Sequence, residues 1–277
     1  DKTDIDIGSL PAREIYDFVS TEGNLFETIS AQASWQRVTL NRGLFPTSGS
    51  STVFSLSTTI PGSDLNYYRA NIRQKYYRPL SSNFVFGFQG ELGYLDAYGD
   101  TKETPFFQNF YAGGPRSLRG FESNTLGPRS TDAPCYEFNY DEGTCPNLID
   151  TDGDGELDTP YINPYANSTS RYRDRPIGGN IKIEGSLQLI FKLPFIEDQR
   201  SLRSAFSLDF GNVFSDNCKE YQINCYKPAV EDLRYSYGVG VTWITGFGPL
   251  SLAIAKPTNA GPQERTEEFQ FTVGNVF

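Results

Sequence analysis

The chain has 277 residues, a formal net charge of -10 and no histidine, which excludes catalysis and metal binding by imidazole groups. Nine acidic residues and no Lys or Arg lie between positions 131 and 160, so the remainder is close to neutral and offers no basic face to a nucleic-acid partner. No run approaches the roughly 18 consecutive apolar residues that a membrane-spanning helix needs.

Apolar and polar residues alternate with period two along most of the chain, the pattern of strands with one apolar and one polar face. Residues 1–25 lack this pattern, begin in polar sequence and are interpreted as an extracellular loop entered midway. Four strands are predicted within 26–94 and five within 179–277, separated by a long loop over 95–178. In the clearest strand, IKIEGSLQLIFKL at 181–193, Ile, Leu and Phe share one face and Lys, Glu, Ser and Gln share the other.

The predicted strands are mostly 9 to 13 residues long. They are longer than strands of soluble sheets and near the length of tilted strands that cross a bilayer. Tight turns alternate with long connections, and the long connections cover 95–178, 215–232 and 257–266. Short turns at one end and long loops at the other are typical of outer-membrane barrels, so we predict an all-β, antiparallel transmembrane β-barrel. A soluble β-sandwich, which also alternates, is the alternative.

The predicted strand count is odd, whereas single-chain bacterial barrels have even numbers of strands. Either further strands escape the pattern, or the chain is the C-terminal part of a larger barrel, and the polar start favours the second interpretation. Because hydrocarbon tolerates unpaired strand edges poorly, we expect the chain by itself to close incompletely, to exchange strands between copies or to be held by detergent.

The loop over 95–178 is too long to be a passive connection, since structureless loops beyond about 15 residues are usually functional or disordered. It contains the sequence LRGF, formed by Leu118, Arg119, Gly120 and Phe121. If the loop folds into a polar lumen, Arg119 needs an anionic partner, because an unpaired buried charge is costly. The strand registers place three candidate partners on inward faces: Asp209, Glu184 and Gln188. The alternative is an arginine solvated in a surface loop.

The stretch DTDGDGELD has the spacing of a calcium-binding loop, with oxygen ligands at alternate positions. The candidate ligands are Asp150, Asp152, Asp154, Glu156 and Asp158. Position 12 of the loop, normally a bidentate Glu, is Tyr161, so a full EF-hand is not expected and affinity would be weak, on the order of 10⁻⁴–10⁻³ M. The stretch is therefore either a weak Ca²⁺ site or an acidic, solvated turn.

Four cysteines form two local pairs in polar, turn-rich sequence, Cys135 with Cys145 and Cys218 with Cys225. Neither pair has the C-x-x-C spacing of zinc or redox sites. Two disulfides formed in an oxidising compartment are the favoured interpretation, and free thiols in loops are the alternative.

Several segments together resemble the BamA family of outer-membrane β-barrel assembly factors. The segments are NFYAGGPRSLRGFESNTLGP, RGLFPTSGS, TTIPGSDLNYY, SLDFGNVF, GFGPLSLAIAKP and EEFQFTVGNVF, and they run in order over essentially the whole chain. The resemblance implies a sixteen-stranded barrel preceded by periplasmic POTRA domains. The nine predicted strands would then be the last nine, with the POTRA domains and the earlier strands missing.

The resemblance also implies a role for the LRGF residues. In the family this loop enters the barrel lumen and its arginine bonds inward-facing acids, of which Asp209 in the D-x-G sequence matches one. The second family acid falls at Gln188, where this chain departs from the pattern, and Glu184 on the same face is a candidate substitute. The resemblance thus predicts that Arg119 latches the loop to the barrel wall.

The last strand resembles the signal and gate strand of the family, which pairs weakly with the first strand where client strands enter. The predicted gate residues are Phe269, Phe271, Val273, Gly274 and Phe277. The implied function is assembly and insertion of β-barrel proteins into the bacterial outer membrane, without enzymatic chemistry or a required cofactor. The implied partners are unfolded outer-membrane clients, the lipid bilayer and assembly lipoproteins that act mainly through the POTRA domains. Alternatives are a related translocator, for autotransporter assembly or two-partner secretion, and a passive porin-like barrel.

Overall fold

A computed structural model describes residues 1–5, 12–131, 175–194, 196, 201–219, 222, 224–246, 248–261 and 263–274. Its main body is a nine-stranded sheet, with short elements beside it. In chain order the elements are β1 (Lys2–Asp4), α1 (Arg13–Glu22), β2 (Leu25–Glu27), β3 (Ser30–Val38), β4 (Gly49–Thr59), β5 (Tyr67–Pro79), β6 (Phe84–Ala97), a 3-10 turn (Phe106–Gln108), β7 (Gly120–Phe121), β8 (Ile181–Phe191), β9 (Leu202–Phe214), β10 (Arg234–Thr245), β11 (Gly248–Pro257), β12 (Thr266–Glu267) and β13 (Phe269–Val273).

The nine long strands lie side by side in chain order, β3-β4-β5-β6-β8-β9-β10-β11-β13, and every neighbouring pair is antiparallel. The predicted all-β, antiparallel fold is confirmed. In the described part of the chain β3 and β13 are the two edges of this sheet, which is not closed. Among the residues described, no helix is both long and apolar enough to cross a membrane.

The two faces of the sheet differ as the alternation predicts. On β9, Phe206 and Leu208 are 54% and 45% exposed, whereas Asp209, on the opposite face, is fully buried. Large apolar side chains are likewise exposed on the outer face of the other strands, for example Trp243 on β10 and Ile254 on β11. A sheet with an apolar outer face and buried polar groups on its inner face suits a strand wall that faces lipid outside.

Residues 1–25, interpreted from the sequence as a loop, contain α1 and two short strands that pair with each other. The apolar residues of α1 recur at helical spacing, Ile15, Phe18 and Val19, so a search for period-two alternation passes over them. Phe18 is buried in an apolar cluster at the end of the sheet that carries the long loops; the cluster comprises Phe18, Phe26, Leu65, Tyr67, Leu95 and Phe110. The N-terminal segment is thus folded onto the barrel wall.

Candidate functional site

The described parts of the loop between β6 and β8, residues 98–131 and 175–180, lie side by side and pack against the inner face of the sheet. Isolated bridges join its arms: Phe110 with Gly179, Ala112 with Leu126 and Arg129 with Pro176. Its tip is anchored in a fully buried apolar cluster made of Ala112, Leu118, Phe121, Leu126 and Val213. The two apolar residues of LRGF therefore fix the tip against β9, and the arginine between them is held at the wall.

Gly120 is required at the tip for two reasons. Its φ is +86°, a left-handed conformation that residues with a Cβ rarely adopt. A Cβ at this position would also lie 2.9 Å from the backbone oxygen of Ala255 on β11. The glycine of LRGF thus lets the backbone of the loop pass in direct contact with the wall.

Arg119 forms a two-pronged ion pair with Asp209. Its Nε donates to Oδ2 and its Nη2 donates to Oδ1, both at 2.6 Å, and Nη2 also donates to the hydroxyl of Ser186 at 2.8 Å. Arg119 is 4% exposed and Asp209 fully buried. The planar guanidinium matches the two carboxylate oxygens, which makes this one of the stronger polar contacts available to a protein. The structure therefore places Arg119 on the carboxylate expected from the sequence.

The other two inward candidates have different partners. Glu184 accepts a hydrogen bond from the hydroxyl of Ser117, two residues before Arg119, and pairs with Lys182 through a 3.0 Å contact. Gln188 donates to Ser186 and accepts from Arg203, each at 3.4 Å. Glu184 thus holds the loop through Ser117, while Ser186 takes a bond from the arginine.

Ser186 was not among the predicted site residues, although it lies on the inward face between Glu184 and Gln188. The register of β8 places Ser186 on the inward face but does not single it out from its neighbours. A search for charge partners passes over a hydroxyl, because a neutral acceptor gives no electrostatic signal in the sequence.

The tip of the loop also contacts the last strand. β7 pairs with β12, Gly120 opposite Glu267 and Phe121 opposite Thr266. The side chain of Gln270, on the inward face of β13, donates to the backbone oxygen of Phe121 at 2.8 Å and accepts from the N–H of Gly120 at 3.4 Å. Gln270 was also missed from the sequence, for the same reason as Ser186.

The predicted gate residues Phe269, Phe271 and Val273 point outward and are 60%, 55% and 54% exposed. Gly274 follows the end of β13 with φ +81°, and its N–H donates to the backbone oxygen of Pro249 at 2.7 Å. Phe277 lies outside the described residues. The structure thus gives the outer face of β13 the apolar character expected of a strand in lipid.

The disulfide between Cys218 and Cys225 is present, in the connection between β9 and β10. The other predicted pair, Cys135 and Cys145, lies outside the described residues, and so does the candidate calcium loop at 150–158. Both remain predictions.

A strand wall with an apolar outer face, and a loop that fills its polar inner face, defines a transmembrane β-barrel with a loop in its lumen. The family comparison agrees: a family model described as "Omp85 superfamily domain" matches residues 3–277. The chain belongs to the Omp85 superfamily and is an outer-membrane β-barrel protein.

Several known proteins are similar to the chain. The outer membrane protein assembly factor BamA of Neisseria meningitidis serogroup B is 33% identical over 259 residues, which are 88% of this chain and 28% of that protein. The mouse sorting and assembly machinery component 50 homolog is 26% identical over 65% of this chain and 30% of that protein.

A solved structure is also similar. The crystal structure of BamA from Haemophilus ducreyi lacking POTRA domains 1–3 matches with a TM-score of 0.72 and 29% identity, over 96% of this chain and 48% of that one. The chain thus spans about three tenths of these curated relatives and about half of this crystallised chain.

Proposed function

We propose that the chain forms the C-terminal part of the barrel of an assembly factor that folds and inserts β-barrel proteins into the bacterial outer membrane. Membership of the Omp85 superfamily and similarity to a protein named as an outer membrane protein assembly factor support this proposal. The activity requires no covalent step and no cofactor. It consists of presenting a strand edge on which a client strand forms backbone hydrogen bonds, a form of β-augmentation.

The observation that carries the proposal is the buried latch in the lumen. Arg119, Asp209 and Gln188 are 4%, 0% and 5% exposed, although Asp209 and Gln188 face the inside of the wall. A passive porin keeps its inner wall hydrated so that solutes pass. Here the loop tip binds Asp209 and Ser186 through Arg119, and Gln188 is bonded to Ser186 beside them. A lumen closed in this way favours a barrel whose loop positions the wall, and it argues against an open pore.

The partners in this proposal follow from the two faces of the wall. The outward apolar residues contact the lipid bilayer, and the edge strand β13 contacts unfolded outer-membrane proteins as clients. Assembly lipoproteins are further partners, engaged mainly through the POTRA domains that the family resemblance implies. Nucleic acid has no place in this scheme, since the chain is acidic overall.

Reconstitution tests the proposal. The full-length protein, with its POTRA domains, is placed in liposomes and supplied with an unfolded client barrel, and folded client is counted by its resistance to SDS before heating. Arg119→Asp and Asp209→Arg should each abolish client folding, and the double swap should restore much of it. The control is Thr52→Val, which removes a hydroxyl bonded to Gln74 on β4 and β5, away from the loop.

Three outcomes would count against the proposal. The two single losses could simply add in the double swap, client folding could proceed unchanged without the latch, or the liposomes could secrete a passenger protein and fold no client. The last result would identify a translocator.

A further inference from the structure

We propose that Gln270 joins the loop tip to the last strand, so that the latch on β9 and the position of β13 form one cooperative unit. This inference deepens the proposed function and rests on it for its biological meaning. Gln270 is a positioning residue in this scheme: it acts on the client-facing strand through the loop, not on a client itself.

The side chain of Gln270 complements the peptide group it contacts. A carboxamide has one acceptor oxygen and an NH₂ donor group, and it uses both on the backbone of Gly120 and Phe121. Gln270 is 1% exposed, so water cannot replace either bond while the loop is in place. Truncation of the Gln270 side chain with the loop in place would leave the Gly120 N–H and the Phe121 carbonyl buried without this partner.

The segment before β13 runs beside the loop and adds further bonds. Glu122 N–H donates to the backbone oxygen of Arg265 at 3.0 Å, and Arg265 N–H donates to the hydroxyl of Thr125 at 2.9 Å. The guanidinium of Arg129 donates to the backbone oxygen of Gln263 at 2.5 Å. Together with the β7–β12 pair, these bonds hold residues 263–270 to the loop along their length.

The other side of the same tip is fixed to β8 and β9. Arg119 holds Asp209 and Ser186 there, and the next two residues hold Gln270. Three consecutive residues of the tip therefore span the inner face from β9 to β13, across β10 and β11. If either attachment is released, the tip moves and the other attachment loses its geometry. Two sites that share one rigid element are coupled, and the coupling acts equally in both directions.

Hydrogen exchange of the full-length protein in lipid nanodiscs, without client, tests this coupling. Gln270→Leu should speed exchange of the loop amides at 117–122 by about tenfold, the effect expected from unsatisfied buried polar groups. Asp209→Asn, made on the opposite attachment, should speed exchange at 266–273 to a similar degree. Thr272→Val is the matched control, because Thr272 lies on the same face of β13, two residues further on, and should leave the loop unchanged.

The double variant Asp209→Asn/Gln270→Leu decides between one unit and two. If the attachments act together, the double variant exchanges little faster than the quicker single variant; multiplied effects mean that they are independent and overturn the inference. Should Gln270→Leu fail to fold, Asp209→Asn alone remains decisive: unchanged exchange at 266–273 would also overturn the inference.

Exchange is measured without client, so a negative result for the coupling leaves the proposed assembly function standing. Conversely, coupled exchange together with undiminished client folding in Arg119→Asp would overturn the proposed assembly function and would still support the coupling between the loop and β13.

Discussion

At the scale of single residues, the two-nitrogen donor geometry of the Arg119 guanidinium contributes more to stability than its charge alone. Arg119→Lys keeps the charge but cannot donate from two nitrogens to both oxygens of Asp209. We expect the free energy of unfolding to fall by about 1.5–3 kcal/mol, the range for hydrogen bonds to charged groups. Urea titration of the full-length protein in detergent measures this free energy. The folded fraction at each urea concentration is read from the gel band of the folded protein, which shifts when the sample is heated.

The matched control for this prediction is Arg265→Lys. Arg265 pairs with Glu122 at 3.5 Å in the same region, but the two side chains are 59% and 43% exposed. An exposed pair contributes little to stability, so the lysine variant should unfold close to wild type. Equal losses from the two substitutions would show that burial and geometry at Arg119 add nothing.

Within the polar network of the site, the sequence predicted the charged residues Arg119 and Asp209 and missed the neutral residues Ser186 and Gln270. The alternation of β9 places Asp209 inward, and a buried arginine in LRGF needs an anion, which made Asp209 a candidate beside Glu184 and Gln188. The family resemblance then singled out Asp209. Ser186 and Gln270 share the same inward registers, yet neutral side chains make no comparable demand. Which of many inward polar groups receives the loop depends on the path of its backbone, and no local pattern encodes that path.

At the scale of elements, α1 is docked through a buried carboxylate. Both carboxylate oxygens of Glu14 accept from the N–H of Thr131 at 3.1 Å, and the hydroxyl of Thr131 donates to Oε1 of Glu14 at 2.7 Å. Burial raises the pKa of Glu14 above its ordinary value, and these bonds only partly oppose the shift. Since the folded pKa is the higher one, protonation favours the docked helix.

The docking of α1 should therefore be strongest below the ordinary carboxyl pKa and should weaken as the pH rises through the raised pKa, with no further change above it. Glu14→Gln should remove this dependence. Hydrogen exchange of the α1 amides, corrected for the intrinsic exchange rate, measures this pH dependence. The range of about pH 3.5 to 7.5 extends below and above the ordinary pKa of a glutamate. A dependence that persists in Glu14→Gln would assign the effect to another group.

The long strands were predictable because each repeats its pattern over many residues, whereas β7 and β12 are two residues each and too short to show any period. Their pairing joins Gly120 with Glu267, positions far apart in the chain, so it arises from the fold and not from local sequence. The helix α1 was missed for a different reason, since its apolar residues follow a period of 3.6 in a chain otherwise dominated by a period of two.

At the scale of the whole molecule, the strand count limits how the wall can close. The nine strands of the sheet in the described residues alternate in direction, so the edge strands β3 and β13 run the same way. Joining them directly would create a parallel pair in a wall that is antiparallel at every other step. A closed antiparallel barrel therefore needs an odd number of strands besides these nine, and seven would complete the sixteen that the family resemblance implies.

This constraint predicts the behaviour of the 277-residue chain produced alone. Two open edges in hydrocarbon leave rows of N–H and C=O groups without partners, at a cost of several kcal/mol for each group. Because self-closure requires a parallel pair, we expect the chain in detergent to associate with further copies, with a protein mass of at least about twice 31.0 kDa. Light scattering corrected for bound detergent measures this mass, and the full-length protein, with its barrel closed, should be monomeric. A compact monomer of 31.0 kDa that needs no detergent would contradict both the open edges and the placement of this wall in a membrane.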